Sequence, residues 1–193
     1  TFLHYIERVL PSLGETGVVS RTMADLTPGV TATTDDTPRA AMLKGDRRMR
    51  FAIANAISAR IRIPRDLPTV RINGFGVPMR AADIKQAQAD AHRTRQQHNK
   101  ARETFVRSMM ESMRNRYVDL LDYTPDHNEL SDVMAQLRMS DDVRIALNLA
   151  WLPMTAQWLI DQIFSKPRQL ARFAPWLSAS DIACLIRPKH SPI

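Results

Sequence analysis

A single cysteine, Cys184, serves the whole of a 193-residue chain. That excludes an internal disulfide framework and fits a reducing compartment. With Ile182, Ala183, Leu185 and Ile186 around it, the thiol is expected to act as a small buried apolar group. No apolar run reaches about 18 residues, so a membrane span is not expected, and no charged-then-apolar leader marks secretion. The expectation is a cytoplasmic protein. Lysine is scarce as well: Lys44, Lys85, Lys100, Lys166 and Lys189 are five of 27 basic residues, which leaves 22 arginines under a net charge of +7. Arginine excess suits planar contacts to phosphate, carboxylate or aromatic faces, and it equally suits a GC-rich genome.

Catalytic signatures are missing too. His4, His92, His98, His127 and His190 fall in different expected elements, and none has a histidine four residues away with a glutamate between them. The fragment HNE, residues 127–129, superficially resembles zinc deaminases, which need a downstream cysteine pair that one thiol cannot supply. No serine sits in a glycine-flanked elbow, and Cys184 lies in an apolar run that offers nothing to activate a thiol. The carboxylate pairs Asp35 with Asp36 and Asp141 with Asp142 are adjacent, so on a helix they diverge and suit caps and turns. The glycines of GFG, residues 74–76, lack the spacing and the lysine of a phosphate loop. The reading is a segment that is not catalytic and holds no metal.

What is present is mostly helical pattern, enough to bury one good core at 44% hydrophobic content. Phe2, Ile6, Val9 and Leu13 recur at helical spacing from the first residues, with no initiator methionine and no capping residue ahead of them, so the start looks cut from a longer protein. VVSRTM, residues 18–23, suits a short strand, and DLTPGVTATTDDTP after it suits a loop. Thr37 and Pro38 make a good helix start. Met42, Met49, Ile53, Ile57 and Ile61 then mark one face of an expected single helix running to Pro64. Opposite lies KGDRRMR with Arg47, Arg48 and Arg50, a solvated face or a contact for nucleic acid or a partner. TVRINGFGV places Asn73 and Gly74 between two β-leaning runs, the signal for a tight hairpin.

Residues 81–122 contain no helix breaker, yet their apolar stripe survives only at the ends: Ile84, Ala87 and Ala91, then Phe105, Met109, Met113 and Tyr117. The intervening HRTRQQHNKARET has almost none. One long helix, or two meeting near His98 and Asn99, is expected to project as an arm, half of which would reach roughly 30 Å. The remainder reads as packed helices. Leu130, Val133, Met134 and Leu137 form one face, Val143, Leu147 and Trp151 the next, and Met154, Trp158 and Ile163 a third. A last helix is capped by Ser178 or Ser180, and Trp151, Trp158 and Trp176 are expected in the core. The fold class is thus mainly α: a helical domain with a long projecting arm and a small β-hairpin, and a residual α/β piece at the N-terminus.

The stretch TFLHYIERVLPSLGETGV resembles the segment that follows the phosphate-binding loop in the HelD family, UvrD-like, helicase-related superfamily 1 ATPases that bind bacterial RNA polymerase. The likeness covers residues 1 to about 26. From Thr37 onward the layout is similar to that family's large helical insertion. The resemblance implies that residues 1–30 are a fragment of a RecA-like domain and 37–193 the insertion, with the arm at about 81–122. It also implies function: the insertion wedges into the polymerase core, helps open its clamp and releases nucleic acid, in actinobacterial members with a link to rifampicin resistance. Neither Walker A nor Walker B is present, so no ATP ligand transfers to a numbered residue; ATP and Mg are expected only in the parent protein, and the fragment itself carries no cofactor. In that frame the chain is a monomer whose contacts to polymerase are Arg93, Arg95, Lys100 and Arg102, with Met109, Met110 and Met113 as adaptable packing near the arm's base. The alternative is a basic nucleic-acid-binding module using Arg47, Arg48, Arg50, Arg60, Arg62 and Arg65.

Overall fold

The computed structural model describes residues 35–186. The expected N-terminal helix, the strand at 18–23 and the RecA-like fragment at 1–30 lie outside the described residues, except that the linker's last residues fall inside them. The chain divides into two units, Thr1–Ala41 and Met42–Ile193. In the first, Thr37 opens helix α1 (Pro38–Gly45): its Oγ1 accepts from the Ala40 amide at 3.2 Å, with Pro38 at the first helical position. All that follows concerns the second.

Met49–Ser58 forms α2 rather than the continuation of one helix to Pro64. Gly45 and Asp46 end α1, and the Asp46 carboxylate accepts from the Arg48 amide at 2.8 Å and grips its guanidinium, a local bond that competes with helical pairing. The break changes the buried face. Met49, Ala52 and Ala56 are buried, whereas Met42 and Ile53 are exposed. Strands β1 (Thr69–Ile72) and β2 (Phe75–Pro78) then pair antiparallel, Val70 opposite Val77 and Ile72 opposite Phe75. Asn73 and Gly74 turn the hairpin at φ 48° and 87°, as the two-residue turn requires.

Seven further helices follow among the described residues: α3 (Ala81–Arg93), α4 (His98–Val118), α5 (His127–Met139), α6 (Asp141–Ala150), α7 (Ala156–Phe164), α8 (Pro167–Phe173) and α9 (Ala179–Leu185). Caps set several starts. Asp126, Ser140 and Thr155 each accept from the amide three residues on, and Ser178 with Asp181 forms a reciprocal capping box. The mainly α reading with a small hairpin holds.

The projecting arm does not. Helices α3 and α4 lie against each other as an antiparallel hairpin, and their apolar stripes form the seam: Ile84, Ala87, Ala91, Phe105, Met109 and Met113 are all fully buried. Small residues on α3 let the longer side chains of α4 approach closely. Residues 92–104, expected in solvent, return to the body. Ala101 is buried, and polar side chains around it bond to the chain between α6 and α7. The main core therefore joins β1, β2 and α3 through α6. A second apolar layer comes from α2, α7 and α8, with Ala52, Ala56, Leu159, Ile163, Leu170 and Phe173 buried. Of the three tryptophans only Trp151 is buried; Trp158 and Trp176 are half-buried. Cys184 is half-buried rather than buried.

Candidate partner interface

Trp151 organises the centre of the second unit. Its ring stacks on Phe105 at 5.5 Å and lies 5.2 Å from the His92 ring and 5.5 Å from that of His98. Its backbone pairs with Ile61 in an isolated antiparallel bridge, flanked by Arg62 N–H to Ala150 O at 2.9 Å. The side-chain amide of Gln88 donates to the carbonyls of both Arg62 and Ala150. Four separate stretches of chain thus meet at one indole.

The polar residues of the former arm close the same junction. The His98 Nε2 meets the Leu152 carbonyl at 2.8 Å. Asn99 clasps Met154 by donating to its carbonyl at 2.8 Å and accepting from its amide at 3.2 Å. Arg102 donates from Nε to the Trp151 carbonyl at 2.8 Å and from its terminal nitrogen to Asn148 Oδ1 at 2.6 Å. Burial lowers its pKa. This guanidinium is therefore a clamp inside the fold. Met109, Met110 and Met113 are buried too, which takes all three off any contact surface. The remaining expected polymerase contacts stay at the surface. Arg93 pairs with Asp90, and Lys100 with Glu103 at 2.6 Å. Although burial pushes the Asp90 carboxyl up, hydrogen bonds from Gln86, Ser108 and Arg93 bring it below the usual range.

Arg95 stands between these two at the tip of the helical hairpin, exposed and at φ 53°. A left-handed residue just past a helix end is where glycine costs least, so an arginine there carries backbone strain of order 1 kcal/mol. Nothing in the apolar pattern points to it; the turn between two helices was legible only as a position near His98.

The second set of expected residues separates into two places. Arg48 is bound to Asp46 at 2.6 Å; the pair holds the Asp46 carboxyl down at about 2 through that hydrogen bond and raises the Arg48 pKa. Arg47 and Arg50 are exposed beside it, with the Arg50 guanidinium 4.6 Å from the Phe51 ring centre. At the other end of α2, about 15 Å away along its axis, Arg60 lies over the Trp158 ring at 5.1 Å. Arg62 donates from Nε to the Leu149 carbonyl at 3.2 Å, and Arg65 has no hydrogen bond or ion pair among the described residues. Arg62, Ile63, Pro64, Arg65, Asp66 and Leu149 line a cleft of about 400 Å³.

Elsewhere, a half-buried ion pair and a hydroxyl network hold the hairpin end. Arg116 bridges Asp83 at 2.7 Å and the Pro78 carbonyl at 2.9 Å. Glu129 accepts from Tyr117 at 2.8 Å and Tyr123 at 2.7 Å, which gives the glutamate of HNE a structural role. No group of histidine, cysteine, aspartate and glutamate among the described residues is arranged to hold a metal, and no described helix is long and apolar enough to cross a membrane. No protein-family model matches the chain, and no curated protein matches it.

Proposed function

We propose that this chain is the non-catalytic, RNA polymerase-binding segment of a HelD-like ATPase, helping to open the clamp and release nucleic acid. The observation that carries the reading is TFLHYIERVLPSLGETGV at residues 1–18, followed by a predominantly helical segment. The helical hairpin tip supplies the contact. Arg93, Arg95 and Lys100 are exposed there, and Arg95 holds a strained backbone where glycine would cost less, a feature that suits a contact residue. Arg102 holds the start of α4 to the body, and the three methionines lie in the core farther along the same helix. Capture of core polymerase by the chain tests the reading, alongside a triple variant Arg93→Glu, Arg95→Glu and Lys100→Glu. Capture by the unchanged chain and its loss in the variant are expected. No capture by either removes the proposal, and equal capture by both removes the tip from it.

A second reading has its own support: Arg60 over Trp158, with Arg62 and Arg65 close in sequence, resembles the guanidinium and ring combination that holds nucleic acid. Three phosphate contacts would give a binding constant falling with salt at a logarithmic slope of about −2 to −3. An absence of DNA or RNA binding at low salt would end it.

A further inference from the structure

We propose that the cleft beside the end of α6 is a docking surface for an acidic amphipathic helix of a partner protein. The apolar part is unusual for an exposed location. Ile145 and Leu149 are one turn apart on α6 and remain 50% and 42% exposed, and Ile63, which lines the same cleft as Leu149, is 43% exposed. Aliphatic side chains a turn apart match the i, i+3, i+4 anchors by which an amphipathic helix lies in a groove. The charged part fits the other face of such a helix. Arg62 is already oriented by its Nε bond to the Leu149 carbonyl and its amide bond to the Ala150 carbonyl, so its terminal amino groups are held beside the apolar strip at little ordering cost. Arg65 is exposed and makes no bond among the described residues. Two oriented or unengaged guanidiniums bordering aliphatic surface suit carboxylates, which guanidinium binds through two parallel bonds.

The same details weigh against other occupants. Ile63, Ile145 and Leu149 have no ring faces on which bases could stack, so the exposed apolar strip suits aliphatic anchors rather than nucleic acid. A second copy of the chain, docked through the same face, would set Arg62 and Arg65 against their own counterparts. The cleft shares no lining residue with the hairpin tip, and the proposal stands or falls independently of polymerase binding.

The test is fluorescence anisotropy with a labelled synthetic peptide about five helical turns long, leucine at the i, i+3, i+4, i+7 positions and glutamate elsewhere. Three comparison probes accompany it: a scrambled peptide of the same composition, a version with lysine for glutamate, and a single-stranded oligonucleotide. The intact chain is expected to bind the acidic amphipathic peptide in preference to all three. Ile145→Glu and Arg65→Glu should each weaken that binding about tenfold, with thermal unfolding unchanged because both side chains are exposed. Arg65 makes no hydrogen bond or ion pair among the described residues, so its variant reports on docking even if Ile145→Glu perturbs the helix. No binding of the acidic peptide, equal binding of the scrambled one, or affinity unchanged in Arg65→Glu would overturn the proposal. Oligonucleotide binding that both variants abolish would assign the cleft to nucleic acid instead.

Discussion

Arg102 decides between an arm in solvent and a hairpin folded onto the body. Arg102→Ala removes two hydrogen bonds from a charged donor, at 2.8 Å to the Trp151 carbonyl and 2.6 Å to Asn148 Oδ1. Bonds to a charged group are worth about 1.5–3 kcal/mol each when buried. This side chain is only half-buried, so water recovers part of each, and about 2 kcal/mol is expected for the pair. An arginine on a solvated arm would instead change stability by less than about 0.5 kcal/mol. Urea unfolding followed by tryptophan fluorescence separates the two, because Trp151 sits at the contact. With a denaturant dependence of about 1–3 kcal/mol per molar, the midpoint should drop by about 1 M. Arg102→Lys should lose most of the same amount, since an ammonium keeps the charge but cannot reach both acceptors with a planar fork. A double-mutant cycle with Asn148→Ala should return a coupling of about 1 kcal/mol. Midpoints unchanged in both Arg102 variants would refute the packed arrangement.

Other consequences follow from single residues. Ala87→Leu places added carbon in the fully buried seam between α3 and α4 and should cost about 1–3 kcal/mol in chemical unfolding. Arg95→Gly relieves the φ of 53° and should leave the fold equal or more stable by up to about 1 kcal/mol; under the proposed function it should also weaken polymerase capture. Gly74→Ala meets no steric neighbour, yet its φ of 87° should still cost about 1 kcal/mol. Tyr123 donates to Glu129, and that bond pushes its pKa from 10.0 up to about 12. The folded form thus keeps a proton that the unfolded chain releases, so this contribution to stability is complete below pH 10.0 and fades as pH rises towards about 12. Absorbance of tyrosinate checks it: Glu129→Gln should bring one tyrosine's titration back towards the ordinary value.

Much of the fold was legible because it depends on local chemistry. Asn73 and Gly74 announced the hairpin, Ile84, Ala87 and Ala91 announced a narrow buried stripe, and Ser178 or Ser180 announced a cap, which the structure places at Ser178. The break in the first helix was harder to see, since it rests on the Asp46 side chain outcompeting helical pairing at the Arg48 amide. The packing of 92–104 left no apolar trace. What that stretch buries is one alanine, Ala101; the rest of its attachment is two histidine rings near the Trp151 ring and bonds from His98, Asn99 and Arg102 to carbonyls near Trp151. Such bonds join side chains to backbone some fifty residues away, and periodicity records only side chains that avoid water. The strain at Arg95 and the cleft beside Leu149 were invisible for the same reason.

By itself, then, the sequence determined that the chain is mainly helical, that a tight hairpin interrupts it, and that the stripes of α3 and α4 face inward, because turn geometry, caps and spacing act over a few residues. Only the tertiary structure decided that the polar middle of residues 81–122 is pinned to the body, that three expected contact methionines are core, and that Arg62, Ile63 and Leu149 share one cleft. Each of those depends on distant segments meeting at Trp151, and the energy of that meeting is carried by pairwise contacts that no local pattern encodes.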